Sequence, residues 1–154
     1  MRVEVSGLEV LQRADRALRQ AIDDALGRGA LEIADEARRT APVAFSLLQQ
    51  SIRPLRADWN HWQVVAGVNY ARQVEQGRRP GGPLPDPRSI EAWMKTKRIT
   101  PHAQGMPIKT AAFLIARHIR DFGSPAQPFL APALESKRSR VEALVLGALR
   151  KVGG

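Results

Sequence analysis

The clearest pattern lies near the start of the chain. Leu11, Leu18, Ile22, Leu26, Ile33 and Ala37 recur at spacings of seven, four, four, seven and four. Those spacings fall on one face of a 3.6-residue period and predict an amphipathic helix over residues 8–39. Arg13, Arg16, Arg19, Asp23 and Asp24 fill the opposite face, where water solvates them. Ser6 or Gly7 starts this helix, and Pro42 ends it, because the residue before a proline avoids helical angles. Gly27 and Gly29 sit mid-run and each costs about 1 kcal/mol against Ala, which marks a place to kink or divide the helix.

Beyond Pro42 the period changes. A short helical turn is expected at residues 46–51. Two β-type segments follow, 52–57 and 62–69, separated by Asp58-Trp59-Asn60-His61. The second is rich in valine and holds Gly67, a residue suited to a bulge or a close backbone approach, so a hairpin is predicted. Residues 70–76 read as a short helix closed by Gly77. Residues 77–88 carry three Gly and four Pro and form a loop, the clearest internal boundary. Asp86 then caps a helix whose first position is Pro87 and whose apolar residues are Ile90, Trp93 and Met94. A loop at 99–107 leads to a helix over 108–122, with Ala112, Ile115, Ala116 and Ile119 on one face. Residues 123–131 are extended, and Pro132 starts a last helix carrying Leu134, Val141, Leu144, Val145 and Leu149. The pattern is α+β: a long N-terminal helix and a C-terminal helix packed on a small antiparallel sheet. The expected organisation is a single domain, 1–154, with a two-helix insert at about 78–122.

Composition narrows the chemistry. The 154 residues include no cysteine, which excludes disulfide scaffolds, cysteine-ligated metals and thiol catalysis. His61, His102 and His118 have no ligand spacing, so no metal is expected. Asp23-Asp24 and Asp35-Glu36 are neighbours on a helix and point apart, so they form no acid–base pair. Ser46 and Ser51 lack a histidine at telling distance, and no nucleophile elbow is present. No catalytic residue and no cofactor is expected. No run approaches the ~18 apolar residues of a membrane helix. Met1-Arg2-Val3-Glu4-Val5 lacks the apolar stretch of a signal peptide, so a soluble protein is expected.

The net charge is +9, and its placement is uneven. Residues 1–40 hold seven Arg and eight acids, whereas residues 41–154 hold 17 basic residues and seven acids. The excess therefore lies wholly after the first helix. Nineteen of the 24 basic residues are Arg, whose planar fork suits phosphate or carboxylate and is also common at subunit interfaces. Residues 72–98 carry seven basic residues and three acids. That run reads as a solvated loop and helix face, as a contact to an acidic neighbouring protein, or as a contact to DNA phosphates. Gly77-Arg78-Arg79-Pro80-Gly81-Gly82 lacks the Gly-Lys-Ser/Thr end of a phosphate-binding P-loop.

Three stretches carry a resemblance. The first is Thr40-Ala41-Pro42-Val43 followed by Leu47-Leu48-Gln49-Gln50-Ser51-Ile52. The second runs from Val64 to Gly77 and includes Gly67, Tyr70-Ala71 and Glu75-Gln76-Gly77. The third is Ala126-Gln127-Pro128-Phe129-Leu130-Ala131-Pro132-Ala133-Leu134-Glu135. In this order, between two amphipathic helices, they resemble the tailed-phage neck or tail-completion (head–tail joining) family. The matching positions are Pro42, Val43, Leu48, Ser51, Ile52, Tyr70, Ala71, Glu75, Gly77, Pro128, Phe129 and Pro132. The family's usual Asp-Thr-Gly turn is replaced by Ala44-Phe45-Ser46, and its short loop after Gly77 is replaced by about 45 residues with two helices.

The resemblance implies a non-enzymatic virion protein, made in the host bacterial cytoplasm and built into the neck. It implies partners: further copies of itself in a ring, connector or head-closure proteins, tail-terminator or tail-tube proteins, and non-specific genomic DNA in the lumen. No membrane is implied. Docking is then expected at Arg78, Arg79, Arg88 and Trp93, and around residues 44–46. Some readings stay open on the sequence. Glu75 either belongs to a capped, packed helix end or pairs with an arginine of a neighbouring subunit. Phe129 either anchors a structural corner or touches a neighbour. Trp93 either packs the two insert helices or anchors a partner. The alternative function is a small basic DNA-binding protein using the Arg-rich region after residue 41, with the insert helices as a helix-turn-helix-like pair. A connection of residues 98–107 is too long for the usual turn of that motif.

Overall fold

The computed structural model describes residues 1–6, 16–42 and 46–153. Residues 8–15 of the expected first helix, with Leu11 and Arg13, lie outside the described residues, as do Gly7, Val43, Ala44 and Phe45.

Among the described residues, three strands and six helices follow in order: β1 (Arg2–Ser6), α1 (Arg16–Thr40), α2 (Ser46–Ser51), β2 (Ile52–Asp58), β3 (His61–Ala66), α3 (Ala71–Gln76), α4 (Pro87–Thr96), α5 (Ile108–Phe122) and α6 (Leu130–Gly153). The fold is α+β, with long N- and C-terminal helices and a small antiparallel sheet. The sheet order is β1-β3-β2. Val3 stands opposite Val64, and Ile52 opposite Ala66. The predicted hairpin is present. It turns at Trp59-Asn60, where Asn60 takes a left-handed φ of 51°. The register slips between Arg56 and Asp58, so the bulge lies on β2 and not at Gly67, which follows the end of β3.

β1 is the element that the helical reading missed. Arg2-Val3-Glu4-Val5-Ser6 alternates with period two, a strand signal in a run too short to stand out. Ser6 is the last residue of β1, opposite His61, and the stretch in which the helix was expected to start lies outside the described residues.

α1 is continuous through Gly27 and Gly29 and is neither divided nor capped there. It is sandwiched, packing on β2 and β3 on one side and on α6 on the other. Residues two apart on a helix point to nearly opposite sides. A Cβ at Gly27 would lie 3.0 Å from the Trp62 ring of the sheet, and one at Gly29 would lie 2.7 Å from Val141 of α6. The two glycines thus let α1 approach a different neighbour on each side. Ile22, Leu26, Ala30, Ile33, Ala34 and Ala37 join Leu48, Ile52, Val64, Ala71, Phe129 and Leu130 in one core.

Asp23 departs from its expected place in water. It is buried within the sandwich and accepts hydrogen bonds from Arg56 Nε (2.8 Å), Trp62 Nε1 (3.0 Å) and the Asn60 backbone N–H (3.2 Å). A buried carboxylate persists when donors and a counter-charge surround it, and these three supply both.

α4 and α5 pack on each other around Met94, Ala111 and Ala112, with Ile90, Trp93 and Ile115 leaning on that cluster. Asp86 caps α4 by accepting the Arg88 N–H, as its position before Pro87 predicts.

Candidate functional site

The residues of the three resembling stretches gather at one end of α1. There Gln49 Nε2 donates to the carbonyls of Arg38 and Ala41, and the Arg38 guanidinium donates to the Ile52 carbonyl. These bonds tie α2 and β2 to the last turn of α1. Leu48 and Ile52 fill the core beneath, and Ser51 Oγ donates to the Leu48 carbonyl. Tyr70, half-buried, hydrogen-bonds the Leu48 backbone, and desolvation raises its phenol above the ordinary tyrosine value despite that bond. Pro42 is half-buried beside Ala41.

Glu75 carries the central contact. Its side chain is buried on α3 and aims at the start of α6. Oε2 accepts from the N–H groups of Phe129 (2.7 Å) and Leu130 (2.9 Å), and Oε1 from that of Ala131 (2.9 Å). A helix leaves its first four N–H groups without intrahelical partners. Here three go to one carboxylate, and the fourth position is Pro132, which has no N–H. The negative charge also meets the positive end of the helix dipole. Glu75 is thus a capping group supplied from a distant part of the chain.

This corrects two expectations at the helix start. α6 begins at Leu130, so the extended segment ends at Phe129, and Pro132 occupies the third helical position. Glu75 caps the start two residues earlier than Pro132 would have placed it. Phe129 is fully buried, the largest such side chain among the described residues, while Pro128 and Pro132 are exposed. Thr40 Oγ1 of α1 reaches the Phe129 carbonyl at 3.4 Å.

Gly77 takes φ +74°, and a Cβ there would lie 2.8 Å from the Ala126 backbone N. That close approach lets Arg78 and Ser124 pair through both backbone bonds, each 2.9 Å. Gln127 N–H donates to the Val74 carbonyl nearby (2.8 Å). The chain therefore leaves for α4 and α5 and returns from them at a single bridge. Gly123, at φ +77°, packs on the other side of it, where a Cβ would lie 2.2 Å from the Arg78 carbonyl oxygen.

Beside the bridge lies an open groove of about 660 Å³. Arg72, Arg78 and Arg79 line it, with Pro80, Pro83 and Leu84 as apolar wall. Of the four residues expected to dock, the structure brings Arg78 and Arg79 together here. Arg88 is exposed on the first turn of α4, outside the lining, and Trp93 packs in the α4–α5 cluster. Arg72 is the addition. It lies one turn from Gln76, whose Oε1 accepts its Nε at 3.1 Å, and that i, i+4 spacing was the available signal.

Among the described residues, no group of three or more His, Asp or Glu could hold a metal ion, and no helix is long and apolar enough to cross a membrane. No family model, no curated protein and no solved structure matches the chain.

Proposed function

We propose that this chain is a structural subunit of the head–tail junction of a tailed bacteriophage, assembling as a homo-oligomeric ring around the DNA path. The observation that carries the reading is the Glu75 contact. The resemblance relates its motifs only by order along the chain. In the fold, Glu75 and Gly77 of the second stretch directly shape the backbone of the third, and the first stretch closes the α1 end against both. Motif residues that form one structural unit are those a shared scaffold requires. The mechanism is geometric: repeated interfaces close a ring, and loops on its two faces dock the proteins above and below.

Electron microscopy of the purified protein at high concentration, and of phage particles, tests this. Rings, or the protein in the neck of particles, are expected. A strictly monomeric protein absent from particles refutes the reading. The DNA-binding alternative gains little from α5, whose N-terminal half exposes Phe113 and Leu114 where base-reading side chains would stand. A salt titration with duplexes of unrelated sequence separates the two, since tight binding that falls steeply with salt belongs to the alternative.

A further inference from the structure

We propose that the groove beside the Arg78–Ser124 bridge seats an extended segment of a partner protein in which acidic and apolar residues alternate. This deepens the docking role proposed above, and rests on it, by naming the chemistry of the docked partner.

Charge is the first support. Among the described residues, Arg72, Arg78 and Arg79 form no ion pair with any carboxylate. Several of the described acids are engaged elsewhere. Asp35 pairs with Arg38, Glu36 with Arg39 and Lys137, Glu32 with Arg140, and Glu135 with Arg138. Asp121, on the helix that leads back to the bridge, is held by Arg120 and Arg117, and the Arg120 hydrogen bond keeps its carboxyl below the usual range. The guanidinium groups of the groove are therefore open to carboxylates of a docked molecule.

Rigidity is the second. The bridge fixes the backbone at Arg78, Gln76 orients Arg72, and the Gly81 N–H is held by the Arg120 carbonyl at 2.8 Å. A groove set before binding loses little entropy when it is filled.

The lining chooses among anions. Single-stranded nucleic acid binds on aromatic platforms where bases stack, and no lining residue is aromatic. Duplex DNA presents a convex row of phosphates with no apolar groups for Leu84 and the two prolines. An extended peptide offers both: carboxylates for the guanidinium forks, and alternate apolar side chains for the wall.

Fluorescence anisotropy with a labelled peptide of alternating glutamate and leucine tests the proposal. The same peptide with glutamine for glutamate, a mixed-sequence single-stranded oligonucleotide and a duplex serve as comparisons. The acidic peptide is expected to bind, and the glutamine peptide at least about tenfold more weakly. Arg78→Ala with Arg79→Ala should weaken the acidic peptide by about tenfold or more, with an unchanged melting curve. Arg79→Glu, a single change at an exposed side chain, should do so even if the double variant folds poorly. Arg150→Ala with Lys151→Ala, at the far end of α6, should leave binding unchanged. Either oligonucleotide binding as tightly, and lost with the same arginines, would make this a nucleic-acid site and overturn the proposal. Equal binding of the two peptides, or no peptide binding at low salt, would also overturn it. Rings seen without peptide binding would leave the ring reading intact and remove only this one.

Discussion

Removing the Glu75 carboxylate should unfasten the start of α6 and with it the packing of α6 on α1. In Glu75→Ala the N–H groups of Phe129 and Leu130 stay buried and lose their acceptor, while Ala131 is exposed and can bond to water. An unsatisfied buried donor costs about 1–3 kcal/mol. Two of them, with the lost charge at the helix terminus at about 0.5–1 kcal/mol, give a destabilisation of about 2.5–7 kcal/mol. For a chain of this size that lowers the melting temperature by about 10 °C. Glu75→Gln should be milder. Its one carbonyl oxygen can take the place of Oε2 and keep the two buried bonds, leaving Ala131 to solvent, at a cost of about 1–2 kcal/mol. Urea denaturation followed by tryptophan fluorescence and circular dichroism, at fixed protein concentration, reads both. The reasoning fails if Glu75→Ala costs under about 1 kcal/mol, or if the two variants are equally unstable.

Phe129→Ala should cost about 3–5 kcal/mol in the same assay, because the ring is fully buried; a stability within about half a kcal/mol of the parent would show that the corner is not anchored there. Gly29→Ala should destabilise despite alanine's better helix propensity, by about 1–3 kcal/mol, because its Cβ meets the stiff Val141 side chain. Adding Val141→Ala should recover part of that loss. Gly147→Ala, also in a helix but with open space at its Cβ, should instead stabilise by up to about 1 kcal/mol, and the pair of signs is read from denaturation midpoints. Tyr70 is the only tyrosine, so tyrosinate absorbance titrates it alone. Its folded pKa is raised, so the native state holds the proton more tightly than the unfolded chain does. The stability from this group is full below the ordinary tyrosine value and is lost as pH rises through the folded one. Tyr70→Phe should remove that alkaline slope, and an unchanged slope would place its origin elsewhere.

Much of the architecture was legible in the chain because it is local. The apolar period of α1, the hairpin residues, the Asp86-Pro87 start of α4 and the face of α5 each arise within a few residues, where propensity and amphipathicity act. β1 was legible only in principle, since five alternating residues mean little until a partner strand is in place. The tertiary structure decided what depends on contact between distant segments. Asp23 reads as one more polar residue on a helix, and only the arrival of Arg56 and Trp62 makes burying it favourable. Gly27 and Gly29 read as weak points in α1, yet the packing of a sheet on one side and α6 on the other makes them the places of closest approach. The start of α6 depends on a carboxylate more than fifty residues away, so a proline rule based on neighbours placed it two residues late. The seven basic residues of 72–98 were countable in the sequence. Which three of the arginines share a groove followed from the Gly77 turn and the Arg78–Ser124 bridge, because side chains converge only where the backbone has been brought together.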